Sequence, residues 1–199
     1  MLAAKIREKS NDVNSAASLT LNRTATATVN KSIEEITGSV NLEPSYIKKH
    51  LKVTARASPA NLRTIITANE RGTLLGRYPN FKTKDGMRVA INKGSGYREL
   101  RGAFRVTGLK NSDAAGIALR NRDAVAFVEA SMRNTKGSAK KSRKLANIKS
   151  NAENKPNGIY VLHSRSVNQL FVSVRDDVKP FMDEFMADEF LTQFERKSK

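Results

Sequence analysis

The chain has 199 residues, 39% of them apolar and 6% aromatic, and it contains neither cysteine nor tryptophan. This length supports one domain with its own core. The lack of cysteine excludes disulfides, thiolate metal sites and a cysteine nucleophile, and agrees with assembly in a reducing cytoplasm. No apolar run approaches the length of about 18 residues that would indicate a membrane span, and the first residues lack the apolar block of a signal peptide. We therefore expect a soluble protein that is not secreted.

The charge is large, positive and unevenly distributed. There are 36 Lys and Arg against 19 Asp and Glu, a net charge of +17. Residues 176–199 carry seven acidic and four basic residues, a net charge of −3, which leaves +20 on residues 1–175. Such an excess indicates a polyanionic partner, with nucleic acid first and a membrane surface second.

The N-terminal region has the pattern of a long helix. Apolar residues from Leu2 to Ile36 recur mostly at helical steps, and Gly38 is a plausible stop. The stripe is thin and rich in small residues, so it predicts either a helix packed on a sheet or one shared between subunits. Pro44 then suits the first turn of a short helix ending at His50.

The middle of the chain is typical of short strands. Alternating apolar and polar residues, or short apolar runs bounded by turn residues, predict strands at residues 51–57, 62–68, 87–92, 103–107, 116–120 and 159–162. Residues 69–86 have a loop-forming composition. We predict an α+β fold: a mainly antiparallel sheet of about five or six strands, flanked by a long N-terminal helix and a kinked C-terminal helix.

A basic segment interrupts this single predicted domain at about residues 122–156. Ala124 to Val128 fit a strand or a helical turn, but the residues that follow contain almost nothing apolar and cannot offset their ordering entropy by burial. We expect a mobile insertion, either a solvated loop or an arm that orders on a polyanion. In the second case its basic residues face a DNA channel: Arg133, Lys136, Lys140, Lys141, Arg143, Lys144 and Lys149.

The C-terminal region predicts an amphipathic helix. Ser166 and Gln169 have the spacing of a capping box, and apolar residues follow at three- and four-residue steps. Pro180 lies inside the pattern and predicts a kink or a restart of the helix. Five phenylalanines should pack within the chain or against a neighbouring subunit: Phe171, Phe181, Phe185, Phe190 and Phe194.

Residues suited to catalysis are scarce. His50 and His163 are the only histidines, and neither has a partner at metal-ligand spacing. Lys93 to Gly96 is glycine-rich but lacks the spacing of a phosphate-binding loop, so a turn is predicted. We expect no enzymatic activity and no cofactor. The few aromatic residues also speak against a stacking platform for single-stranded nucleic acid.

Several stretches together resemble the phage minor tail protein Z family, the tail completion proteins of long-tailed phages. They cover most of the chain outside residues 121–157: Leu19 to Ile33 (LTLNRTATATVNKSI), Ile47-Lys48-Lys49 leading to Arg56-Ala57-Ser58, Gly102-Ala103-Phe104 after Arg98 and Arg101, and Ser166-Val167 leading to Phe171.

This resemblance implies a virion protein of the tail or neck that is assembled in the host cytoplasm. It implies a ring of this chain, with six copies by analogy with tail tubes, in contact with tail tube, terminator or neck proteins. The ring would surround the DNA channel, touch genomic DNA without reading sequence, and have no membrane partner. The same charge also fits an alternative, a non-viral nucleic-acid-binding protein of the ribosome- or chromatin-associated type.

Overall fold

The computed structural model describes residues 2–110, 112–132 and 139–197. The chain folds into two compact units. We call Met1–Gly72 with Arg165–Lys199 the terminal unit, and Thr73–Ser164 the central unit.

Helices occur near both ends of the chain and in one helical hairpin in its second half. Five are present in the described residues: α1 Leu2–Ser39, α2 Pro44–His50, α3 Asn121–Met132, α4 Ala139–Asn154 and α5 Val167–Lys197. Ten short strands occur in the same residues: β1 Leu51–Ala55, β2 Ile65–Ala68, β3 Gly72–Leu74, β4 Asn80–Lys82, β5 Gly86–Val89, β6 Arg98–Arg101, β7 Phe104–Val106, β8 Gly116–Arg120, β9 Ile159–Val161 and β10 His163–Ser166.

The α+β class is confirmed, but the strands form several small sheets instead of one. In the terminal unit β1 pairs with β2, and the central unit contains the sheets β4-β5-β6 and β7-β8-β9, all antiparallel. Residues 69–86, predicted as a loop, contain β3, the 3-10 turn Leu75–Arg77 and β4. These strands are only three residues long, too short for a periodic pattern to reveal.

In the terminal unit α1 packs along α5. One of the two predictions for this helix, packing mainly on a sheet, is therefore wrong. Its buried face includes Ala25, Val29 and Ile36, but it is completed by small polar residues. These are Ser18, Thr20, Thr24, Thr28 and Ser32. Small side chains let two helix backbones approach closely, which explains why the apolar stripe of α1 is thin.

The predicted capping box starts α5. The Gln169 N–H donates to Ser166 Oγ at 3.1 Å, and the Ser166 N–H donates to Gln169 Oε1 at 3.0 Å. The helix then continues through Pro180 to Lys197, so the predicted restart near Asp177 does not occur. Packing against α1 over the length of the terminal unit outweighs the local cost of the proline.

Ser166→Ala should lower the free energy of unfolding by about 1 kcal/mol, because the Gln169 N–H at the start of α5 loses the hydroxyl oxygen that accepts its hydrogen bond. Urea titration followed by far-UV circular dichroism measures this. Ser173→Ala is the control, since the Ser173 hydroxyl only donates to the Leu170 carbonyl oxygen within the same helix. If both variants lost the same free energy of unfolding, the Ser166 cap would contribute no more to stability than an ordinary serine within the helix.

The core of the central unit is built on β8, where Gly116 to Leu119 are all buried. Beside this strand α3 and α4 form a helical hairpin in which Ala124, Val128 and Ile148 are buried. The loop predicted for the basic segment is therefore wrong for residues 139–154. The prediction considered only the few apolar residues of the segment itself, but α3 supplies the facing surface that makes burial possible.

Candidate nucleic-acid interface

Positive charge is concentrated in the central unit. Thr73–Ser164 contains 19 Lys and Arg against six Asp and Glu, a net charge of +13. The terminal unit has 17 against 13, a net charge of +4. About three-quarters of the net positive charge thus lies on fewer than half of the residues. The central unit is therefore the better candidate for a polyanion-binding surface.

The seven basic residues predicted to face DNA have different positions. Arg133 and Lys136 lie outside the described residues. Lys140, Lys141 and Lys144 belong to α4, and their side chains lie outside the part of the chain that the structure describes. Arg143 and Lys149 are exposed. Lys149 Nζ forms an ion pair with Glu129 Oε1 of α3 at 2.8 Å, so part of its charge is neutralised within the hairpin.

A second basic surface was not predicted, and it lies on the sheet β4-β5-β6 with its connecting turns, residues 80–101. We call this the basic sheet. One face carries the buried Met87 and Val89, and on the other Phe81 lies directly opposite Arg88. Gly86 pairs with Arg101 on the same side as Arg88. Successive residues of a strand point to opposite faces. Because Met87 and Val89 are buried, Arg88 between them, and Phe81 opposite Arg88, lie on the solvent-exposed face.

Two aromatic rings meet on this exposed face. Phe81 and Tyr97 are 45% and 50% exposed, and their ring centroids lie 5.0 Å apart with the planes at 63°. Tyr97 follows the predicted turn at Lys93–Gly96, in which Gly94 and Gly96 adopt positive φ of 76° and 63°. The turn reverses the chain direction and brings Tyr97 beside Phe81, 16 residues earlier in the sequence. A local sequence pattern cannot predict this contact.

The cations of the basic sheet are not neutralised by acidic partners in the part of the chain that the structure describes. Six basic side chains are exposed there, and none forms an ion pair within the described residues: Lys82, Lys84, Arg88, Lys93, Arg98 and Arg101. Only two acidic residues, Asp85 and Glu99, accompany them in the sequence. Lys and Arg of this kind on an open surface are what sequence-independent phosphate contact requires. The density of basic residues from 77 to 105 was the signal that the sequence offered.

The five phenylalanines of α5 are only partly covered. Before Pro180 the helix buries Val167, Leu170, Val174 and Val178, and beyond it Gln193 is the one fully buried residue among those described. The rings form two pairs along the helix, with Phe181 and Phe185 at 5.8 Å and Phe190 and Phe194 at 6.1 Å between centroids. Phe181 and Phe194 are exposed, whereas the other three rings are half-buried: Phe171, Phe185 and Phe190.

An apolar groove lies beside these rings within the terminal unit. Its volume is about 350 Å³, and it lies between Ala17 and Leu21 of α1 and Met186 and Phe190 of α5. Asp183 of α5 also lines the groove. Its carboxylate accepts a hydrogen bond from Lys179 Nζ at 2.5 Å, which raises the pKa of Lys179 above its usual value.

The two histidines occupy structural positions. The His50 ring packs on Tyr46 with centroids 4.5 Å apart, and its Nδ1 lies 3.2 Å from Asn69 Nδ2. His163 Nδ1 lies 3.0 Å from the Val161 carbonyl oxygen.

Within the described ranges no three His, Cys, Asp or Glu side chains cluster as metal ligands would. None of the helices in these ranges combines the length and apolarity needed to span a bilayer.

No family model, curated protein or solved structure matches this chain.

Proposed function

We propose that this chain is a structural virion protein at the head-proximal end of a phage tail, where it forms a ring around the DNA channel and joins tail to head. The observation that carries the proposal is the separation of two surfaces. Net positive charge is concentrated in the central unit, while partly exposed aromatic rings line α5 of the terminal unit. A ring around DNA needs one surface for the polyanion and another for its neighbours.

The cationic surface suits passage of DNA better than recognition of a sequence. Lys and Arg side chains bind phosphates wherever these occur, and their contribution falls as salt rises. Contacts of this kind hold the duplex without fixing its register. The basic sheet and α4 would together provide them, and no enzymatic step is assigned to either surface.

The second half of α5 would contact a neighbouring copy. Covering a phenylalanine removes apolar surface from water and contributes roughly 1.5 to 3 kcal/mol relative to full exposure, so the rings left half-exposed here favour association. Six copies are proposed by analogy with tail tubes, with tail tube, terminator or neck proteins above and below. The protein would be found in the virion, and in the host cytoplasm during assembly.

Native mass measurement and negative-stain microscopy of the purified protein test ring formation directly. A closed ring is expected, whereas a monomer at all concentrations would contradict the proposal.

The role of the basic segment is tested by reversing five charges to Glu, at Lys136 and at four residues of α4: Lys140, Lys141, Arg143 and Lys144. The ring should still form, and the plaque titre of the phage that encodes the protein should fall by orders of magnitude. The matched control reverses five exposed cations of the terminal unit: Lys48, Lys49, Lys52, Arg56 and Arg63. If the first variant did not assemble at all, the proposed DNA role of the basic segment would be contradicted.

The alternative is a non-viral nucleic-acid-binding protein of the ribosome- or chromatin-associated type. The exposed Phe81–Tyr97 pair among exposed cations favours it, because such rings serve nucleic-acid contact without any ring assembly. Tight binding of RNA or DNA by a monomer, with a steep salt dependence, would select this alternative.

A further inference from the structure

We propose that the basic sheet binds single-stranded nucleic acid, with bases stacking on Phe81 and Tyr97 and phosphates contacting Arg88 and Arg101. This goes beyond the proposed function, because it concerns the strandedness of the ligand and holds for a monomer as well as for a ring. It also reverses the expectation that the chain has too few aromatic residues for stacking. Two rings suffice when the fold brings them together.

The arrangement of the rings leaves room for a base. In an edge-to-face pair one ring presents its edge to the face of the other, so ring faces remain free on the outer sides. About half of each side chain is open to solvent. Exposure of two adjoining rings is costly in water unless a ligand covers them, and a planar base can do so without being identified by hydrogen bonds.

The cations lie where the backbone of a stacked strand would run. Arg88 is directly opposite Phe81 in the register of β4 and β5, and directly opposite residues have Cβ atoms about 4.5–5.5 Å apart. Arg101 belongs to the same face, since it pairs with Gly86, two residues before Arg88. Glu99 of β6 lies on the same face, opposite Arg88 and two residues before Arg101, so phosphates are expected on the side of each arginine that faces away from Glu99.

Charge complementarity identifies the ligand class as a polyanion, and the rings select its single-stranded form. In a duplex each base is already paired and stacked, so Phe81 and Tyr97 could touch only its backbone. A duplex would therefore use the cations alone, whereas a single strand would use both the cations and the rings.

Binding by the full chain is measured by fluorescence anisotropy, using a labelled oligothymidine of about 15 nucleotides and a duplex of the same length at equal salt. The double variant Phe81→Ala with Tyr97→Ala should bind the single strand at least about tenfold more weakly, and its duplex affinity should change less than twofold. The matched control is Phe127→Ala, an exposed phenylalanine on α3 of the same unit. Its affinity for both ligands should be unchanged.

A second variant detects stacking itself. The chain has no tryptophan, so Phe81→Trp introduces a single tryptophan at the proposed contact, whose emission is excited apart from that of the tyrosines. Its emission should be quenched by oligothymidine and not by the duplex. An equal weakening for both ligands in the alanine variant, no weakening for either, or equal quenching by both would overturn the proposal. If the alanine variant does not fold, the quenching measurement alone decides.

Discussion

Replacing Arg88, Arg98 and Arg101 together by glutamine is expected to weaken duplex DNA binding on the order of a hundred- to a thousandfold at about 50 mM salt. All three arginines are exposed on the basic sheet, Arg88 and Arg101 on one face and Arg98, which pairs with Val89, on the other. None of them forms an ion pair within the described residues. Each phosphate that is no longer neutralised by an arginine keeps about one counterion that binding would otherwise release. A plot of log K against log salt concentration should therefore become shallower by about three.

The control for this variant removes the same number of charges from the other unit. Arg56, Arg63 and Arg71 are exposed and also form no ion pair within the residues described, so changing all three to glutamine reduces the net charge equally. Its salt slope should change by less than about one. Equal slopes for the two triple variants would mean that total charge, and not the basic sheet, governs binding.

Leu170→Ala should lower the free energy of unfolding by about 3 kcal/mol, the largest stability effect we expect from a single substitution in α5. Leu170 is 1% exposed in the terminal unit, on the helix that packs along α1. Removing three carbon atoms there leaves a cavity that rigid neighbouring helices can close only in part. Urea unfolding monitored by circular dichroism gives the difference.

Leu191→Ala is the matched control on the same helix. Leu191 is 61% exposed, so its removal should change the stability of the isolated chain by less than about 0.5 kcal/mol. If the protein forms a ring, this variant should instead weaken association. A large decrease in stability for Leu191→Ala in a monomer, or a negligible one for Leu170→Ala, would contradict the burial pattern of α5.

Helix ends and long periodic segments were predictable. The capping box at Ser166 and Gln169 depends on residues three apart, and both of its hydrogen bonds are present. The N-terminal helix was predicted to end near Gly38 and ends at Ser39. The turn at Lys93–Gly96 follows from two glycines that adopt positive φ. In each case the determining contacts are local.

Other predictions failed because their causes are not local. The basic segment was predicted to be either a solvated loop or an arm that orders on a polyanion, because its own residues bury little, yet residues 139–154 form α4, which packs against apolar residues of α3. A kink or a restart was predicted at Pro180, and the restart does not occur because α1 packs along α5. The candidate site was missed for the same reason, since Phe81 and Tyr97 are separated by 16 positions and meet only through the register of the sheet.

The amino-acid sequence alone determined the α+β class, the net charge and the start of α5, because composition and interactions within a few residues decide these properties. The tertiary structure decided how that charge is divided between two units and which cations lie beside exposed aromatic rings. It also decided which half of α5 is covered. The physical reason is that burial and pairing depend on surfaces supplied by distant segments, and a residue's own neighbours in the chain do not specify them.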